Sequence, residues 1–174
     1  MKILIPTAKE MNLSLKPHGK CFLSEQTKTI VASLSQYSIE ELADFYHIGL
    51  ERAEEEYVHF QQLKNGQALT YPALHLFDGL MYRNIKRSDL TEKKSRYVDK
   101  HLFITSGLYG VMPAMALISP HRLDFSAKCT ISGKSLKNYW RNDYDAAISD
   151  EEMILSLLSS EFETVFSKSV RDKM

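Results

Sequence analysis

Residues 101–125 read HLFITSGLYGVMPAMALISPHRLDF, and the fold depends on how this stretch is read. Leu102 to Thr105 is a short apolar run of strand type. Gly107 and Gly110 follow at once, with Tyr109 between them. Glycine gives up backbone entropy on folding, so such a pair marks a turn with a special conformation or a close approach. Pro120 to Phe125 reads as another strand and carries a single arginine, Arg122. Ligands of α/β proteins commonly sit just outside strand ends. Ser106 Oγ, the amides of Gly107 and Gly110, and the Tyr109 hydroxyl can converge there on an anion or a base, with Arg122 as counter-charge. A tight core turn with a buried tyrosine, and an arginine paired to a carboxylate, accounts for the same residues equally well.

Working outward, strands and helices interleave. Lys2 to Ile5 reads as a short strand that stops at Pro6. Ser24 caps an expected helix to about Leu34, and residues 12–20, with Pro17 and Gly19, read as an exposed loop. Ser38 and Glu41 form a capping box that starts a helix, and a second helix runs from about Glu51 to Leu63. Ser88 or Asp89 caps a helix to His101, and Leu136 to Ile148 is helical, with Trp140 near its apolar face. Ile154 to Leu158 suits a strand or a helix, and Ser159 to Glu161 opens a last helix. The fold class is α+β: a mixed sheet flanked by helices, in one domain over residues 1–174.

Composition sets limits on function. Lys plus Arg and Asp plus Glu both number 22, so no overall basic charge argues for nucleic acid. Cys21 and Cys129 stand in no metal-binding spacing and read as reduced thiols of a cytoplasmic protein. The N-terminus lacks the apolar stretch of a signal peptide or a membrane helix. The six histidines form no compact ligand set, so no metal and no cofactor are expected.

The joint Ile48-Gly49-Leu50 between two helices is that of a helix-hairpin-helix over residues 38–63. In that motif amides at the start of the second helix face a phosphate, aided by the helix dipole. A plain helical hairpin packed on the core fits too. The segment holds seven acidic residues against Arg52 alone, the wrong sign for DNA unless the acids face away. Residues 79–100 reverse the balance, with seven basic residues against three acidic ones. That stretch reads as a solvated helix face or a track for a nucleic-acid backbone.

At LFITSGLYGV and SPHRLDF the chain resembles the YaaA family of bacterial peroxide stress proteins. The family pattern is a strand, Ser-Gly-Leu-Tyr-Gly-Val, a spacer, and Pro-aromatic-Arg-Leu. ILIPTAK is similar to the family's opening through Ala8 and Lys9. LFDGLMYRNI matches through Phe77, Gly79 and Tyr82, and LLSSEFETVF through Leu157, Ser159, Glu161 and Phe162. The resemblance implies a cytoplasmic α+β domain with a helix-hairpin-helix and a positively lined cleft. It implies a protein that binds DNA without sequence preference, lowers free iron and limits oxidative damage, with no established reaction. Family members are longer, which implies a missing C-terminal part that completes the sheet and the cleft.

The chain also departs from the family. Pro113 to Ala116 stands where an Arg-Pro-Leu-Asp is common, and Asp78, Ser156 and Thr164 replace or stand near polar family positions. The cleft residues expected from motif and resemblance together are Lys9, Gly49, Arg52, Ser106, Gly107, Tyr109, Gly110, Arg122, Lys134 and Glu161. The rival expectation is an enzyme acting on a nucleotide or nucleobase, with Glu161 as general base. A protein-interaction role for the acidic helix is a third reading.

Overall fold

A computed structural model describes all 174 residues. β1 (Lys2–Pro6) is followed by a long loop and by three helices, α1 (Glu25–Leu34), α2 (Ile39–Tyr46) and α3 (Leu50–Lys64). β2 (Tyr71–Pro72), α4 (Ala73–Leu76), α5 (Leu80–Asn84) and α6 (Glu92–His101) lead to β3 (Leu102–Ser106) and β4 (Gly110–Pro113). β5 (Leu117–Ile118), β6 (Thr130–Ile131) and β7 (Lys134–Ser135) precede α7 (Leu136–Ile148). β8 (Ile154–Ser156), α8 (Ser160–Glu163) and α9 (Lys168–Arg171) end the chain.

The main sheet has the order β4-β3-β1-β8. β1 runs parallel to both β3 and β8, and β3 is antiparallel to β4, so the sheet is mixed and the class is α+β as expected. Side chains alternate across a strand, so neighbours in β1 enter different cores. Leu4 packs with Phe60, Leu108, Trp140, Tyr144 and Phe166 on one face. Ile5 packs with Leu74, Phe77, Tyr82, Ile104 and Met112 on the other.

Local sequence explains the helix starts. Ser24 accepts the Thr27 amide at 3.2 Å. In α2 both halves of the capping box form: Ser38 Oγ accepts the Glu41 amide, and the Glu41 carboxylate accepts the Ser38 amide at 2.7 Å. Two expectations are corrected. Pro120 to Phe125 forms no strand, because Pro120 has no N–H to donate and the residues around it bond locally. α6 begins after Thr91 rather than Ser88 or Asp89, because Asp89 takes a left-handed turn at φ 55°.

Candidate functional site: a cleft around Arg122

The turn at residues 106–110 is closed on itself. Ser106 is fully buried, and its Oγ accepts the amides of Leu108 and Tyr109, each at 3.1 Å. The carbonyls of the same turn are taken as well. Tyr144 Oη donates to Ser106 O at 2.8 Å, Trp140 Nε1 to Gly107 O at 2.7 Å, and Thr27 Oγ1 to Leu108 O at 2.9 Å. Trp140 and Tyr144 lie four apart on α7, so one helix face clamps the turn. Both glycines are explained by close approach. A Cβ on Gly107 would lie 2.7 Å from the Leu123 carbonyl oxygen, and one on Gly110, at φ +75°, 2.9 Å from the Trp140 ring. The Tyr109 hydroxyl accepts the Ser119 amide at 3.1 Å. Burial raises its pKa further out of the physiological range. The Ser106 Oγ, the carbonyls of the turn and the Tyr109 hydroxyl are thus engaged inside the protein, and Ser106, Gly107, Tyr109 and Gly110 line none of the hollows around Arg122.

Arg122 does reach a cleft. Together with Lys9 it lines three hollows, of about 460, 340 and 60 Å³. The largest lies between the α2–α3 hairpin and the residues after β1, and is also lined by Ile48, Arg52, Glu55, Glu56, His59, Asp78 and Arg83. Tyr46 ties the hairpin to this wall: its hydroxyl donates to the Arg122 carbonyl, and its ring carries the Arg122 guanidinium at 5.3 Å.

The other charges of the largest hollow are mostly committed. Glu10 and Asp78 hold Arg83 at 2.5 and 3.5 Å, and Glu56 faces His59 at 3.4 Å. Asp124 lies 3.6 Å from Lys9. Arg52 and Arg122 have no carboxylate at ion-pair distance, and Arg122 Nε is buried without an acceptor. An arginine that donates no hydrogen bond inside the protein is a ready donor for an anion.

The remaining expected residues are placed as follows. Glu161 lines the smallest hollow and accepts the Ser126 amide at 2.9 Å. Gly49 is the N-cap of α3, at φ −68° and with open space around its Cβ position. The left-handed residue of the hairpin is His47, at φ 53°, so the bend does not require the glycine. Lys134 stands on the exposed β6–β7 hairpin and lines none of the three hollows.

Sequence reasoning missed His121, Asp124 and Tyr46. Their signal was adjacency: His121 and Asp124 flank Arg122 and Leu123, and a loop that carries one inward arginine tends to place its neighbours in the same wall. His121 is fully buried, and burial lowers its pKa to about 4. Its folded value lies below its unfolded one, so the unfolded chain binds the extra proton between about pH 6.5 and 4. This contribution to stability is complete above the unfolded value and is lost as pH falls through that window. The expected loss is on the order of 3 kcal/mol by pH 4. Urea melts of the wild type and His121→Phe across this range check it, since the variant removes this share of the slope.

With the geometry in place, the comparisons decide the family. The family model "Peroxide stress protein YaaA" matches residues 1–174. The chain belongs to that family. A "UPF0246 protein" of Streptococcus gordonii is 59% identical over 174 residues, which is all of this chain and 71% of the relative. A "UPF0246 protein" of Streptococcus pneumoniae is 54% identical over the same residues, 72% of its own length. Within this YaaA-family chain no helix is long and apolar enough to cross a membrane.

Proposed function

We propose that this peroxide stress protein binds DNA through phosphate contacts and so limits iron-dependent oxidative damage. The carrying observation is Arg122, which lines the cleft beside Lys9 and donates no hydrogen bond within the protein. The α2–α3 hairpin serves as the helix-hairpin-helix. Arg52 and the first amides of α3, which have no side-chain cap, face a phosphate there. Gly49 leaves bare backbone at that entry, and Lys134 makes an outlying contact. Such contacts fix position and carry no sequence information. DNA also gathers cations around its phosphates, and protein contacts release them. Occupied phosphates therefore hold less ferrous iron next to the sugars and bases that peroxide chemistry attacks.

The cytoplasm, where the DNA is, is the expected compartment. Gel shifts of a short duplex at rising salt test the proposal. Affinity should fall linearly on a log–log plot with a slope near −0.9 per phosphate contacted, about −3 for contacts at Lys9, Arg52 and Arg122. Affinity that ignores salt counts against it.

A second reading, an enzyme acting on a nucleotide or nucleobase, is favoured by one observation. Lys9 and Glu161 follow the ends of parallel strands β1 and β8 and line the same hollow, the usual ligand position of such sheets. Thermal shift with nucleotides and free bases separates the readings, because a bound ligand raises the melting temperature in proportion to its occupancy.

A further inference from the structure

His121 plays no part in the phosphate contacts described above. Its ring is 2% exposed and stands edge-on to Tyr109, with centroids 5.0 Å apart, and to Phe77 at 6.2 Å. Nδ1 lies 2.8 Å from the Ser119 carbonyl, which can only accept, so Nδ1 carries the proton. Nε2 therefore holds a bare lone pair. No protein donor meets it, and it is not among the atoms sealed from solvent without a partner. His121 lines the smallest hollow, of about 60 Å³, with Lys9, Arg122, Asp124 and Glu161. The ring is neutral at pH 6 and above, so at that position it accepts and never donates.

The hollow therefore sets acceptors against cations at close quarters. His121 Nε2 asks for a hydrogen, the carboxylates of Asp124 and Glu161, which accept from Ser126, add negative charge, and Arg122 and Lys9 ask for an anion. A fully ionised anion satisfies the cations and is repelled by the carboxylates. An anion that keeps one O–H satisfies both. At about 15 Å³ for each water-sized group the volume admits about four, enough for three terminal oxygens and too small for a base.

We infer that this hollow is a subsite for the terminal oxygens of a phosphomonoester, whose P–OH donates to His121 Nε2 while its ionised oxygens accept from Arg122 and Lys9. The inference rests on the anion reading of the cleft and narrows it. An internal phosphodiester has neither an O–H nor a terminal oxygen to insert. The monoester comes from a phosphorylated nucleic-acid end or from a free nucleotide.

The test runs at pH 6, where about half of a monoester carries its second proton. Inorganic phosphate keeps an O–H there and sulfate does not. Each is titrated into the whole protein and followed by NMR at the His121 ring. Phosphate is expected to saturate the site at a concentration on the order of 10-fold below sulfate. A 5′-phosphorylated blunt duplex should bind on the order of 10-fold tighter than its 5′-hydroxyl twin. His121→Phe keeps a ring against Tyr109 and Phe77 and removes the acceptor. It should equalise the two duplexes and leave affinity for the hydroxyl-ended one unchanged.

Equal binding of phosphate and sulfate by the wild type overturns the subsite, needs no variant to fold, and leaves DNA binding standing. Preference for the phosphorylated duplex that survives in His121→Phe overturns it as well. Phosphate that outcompetes sulfate while neither duplex binds, with a mononucleotide competing, supports the subsite, assigns it to free nucleotide and defeats the DNA reading.

Discussion

Trp140→Ala is expected to lower the unfolding free energy by about 4 kcal/mol or more. Removing a buried tryptophan ring costs about 3–5 kcal/mol through lost contacts and the cavity left behind. Trp140 is 3% exposed, and its ring lies against Gly110, which has no side chain to fill the space left behind. The change also removes the donor to Gly107 O at 2.7 Å. A buried carbonyl left without a partner costs about 1–3 kcal/mol more. Trp140→Phe keeps a ring but loses the donor and part of the indole's volume, so its cost should fall between the wild type and alanine. Urea melts followed by circular dichroism measure both, since Trp140 is the only tryptophan and its fluorescence goes with it. A loss below about 1 kcal/mol for alanine would mean that α7 does not clamp the turn.

That clamp shows what the sequence could and could not convey. The two glycines marked a constrained turn, and the constraint is there. Its cause lies 33 to 38 residues away, in Trp140 and Tyr144, whose donors reach Gly107 and Ser106. Glycine signals close approach without naming what approaches, so an anion and an indole ring leave the same trace in sequence. Capping at Ser24 and Ser38 and the extent of α7 were legible because each depends on residues within one or two turns. The failed strand at Pro120 to Phe125 looked right by apolar content, but pairing is a non-local event and Pro120 removes a donor. His47 was hidden for another reason: with Gly49 nearby, the glycine was the natural guess for the left-handed position, and the histidine took it. Arg122 was legible as a lone charge among apolar neighbours. Its lack of an internal partner is a property of the folded surroundings alone.

Arg122→Ala is expected to weaken binding to a short duplex by on the order of 10- to 100-fold at low salt, with folding intact. The side chain is held in place by the Tyr46 ring, so little conformational freedom is lost when it meets a phosphate. A planar guanidinium grips phosphate through two parallel hydrogen bonds, which makes it worth more than a lysine at the same point. No internal ion pair breaks when it is removed, so the thermal midpoint should stay within a few degrees of the wild type. Lys9→Ala should cost less, because Lys9 is 63% exposed and already shares its charge with Asp124 at 3.6 Å. The most direct measurement is therefore the salt dependence of duplex affinity for the wild type and Arg122→Ala side by side. The cleft account predicts a slope shallower by about 1 in the variant, together with the drop in affinity. An unchanged slope and affinity in a folded variant would place the phosphates elsewhere and contradict it.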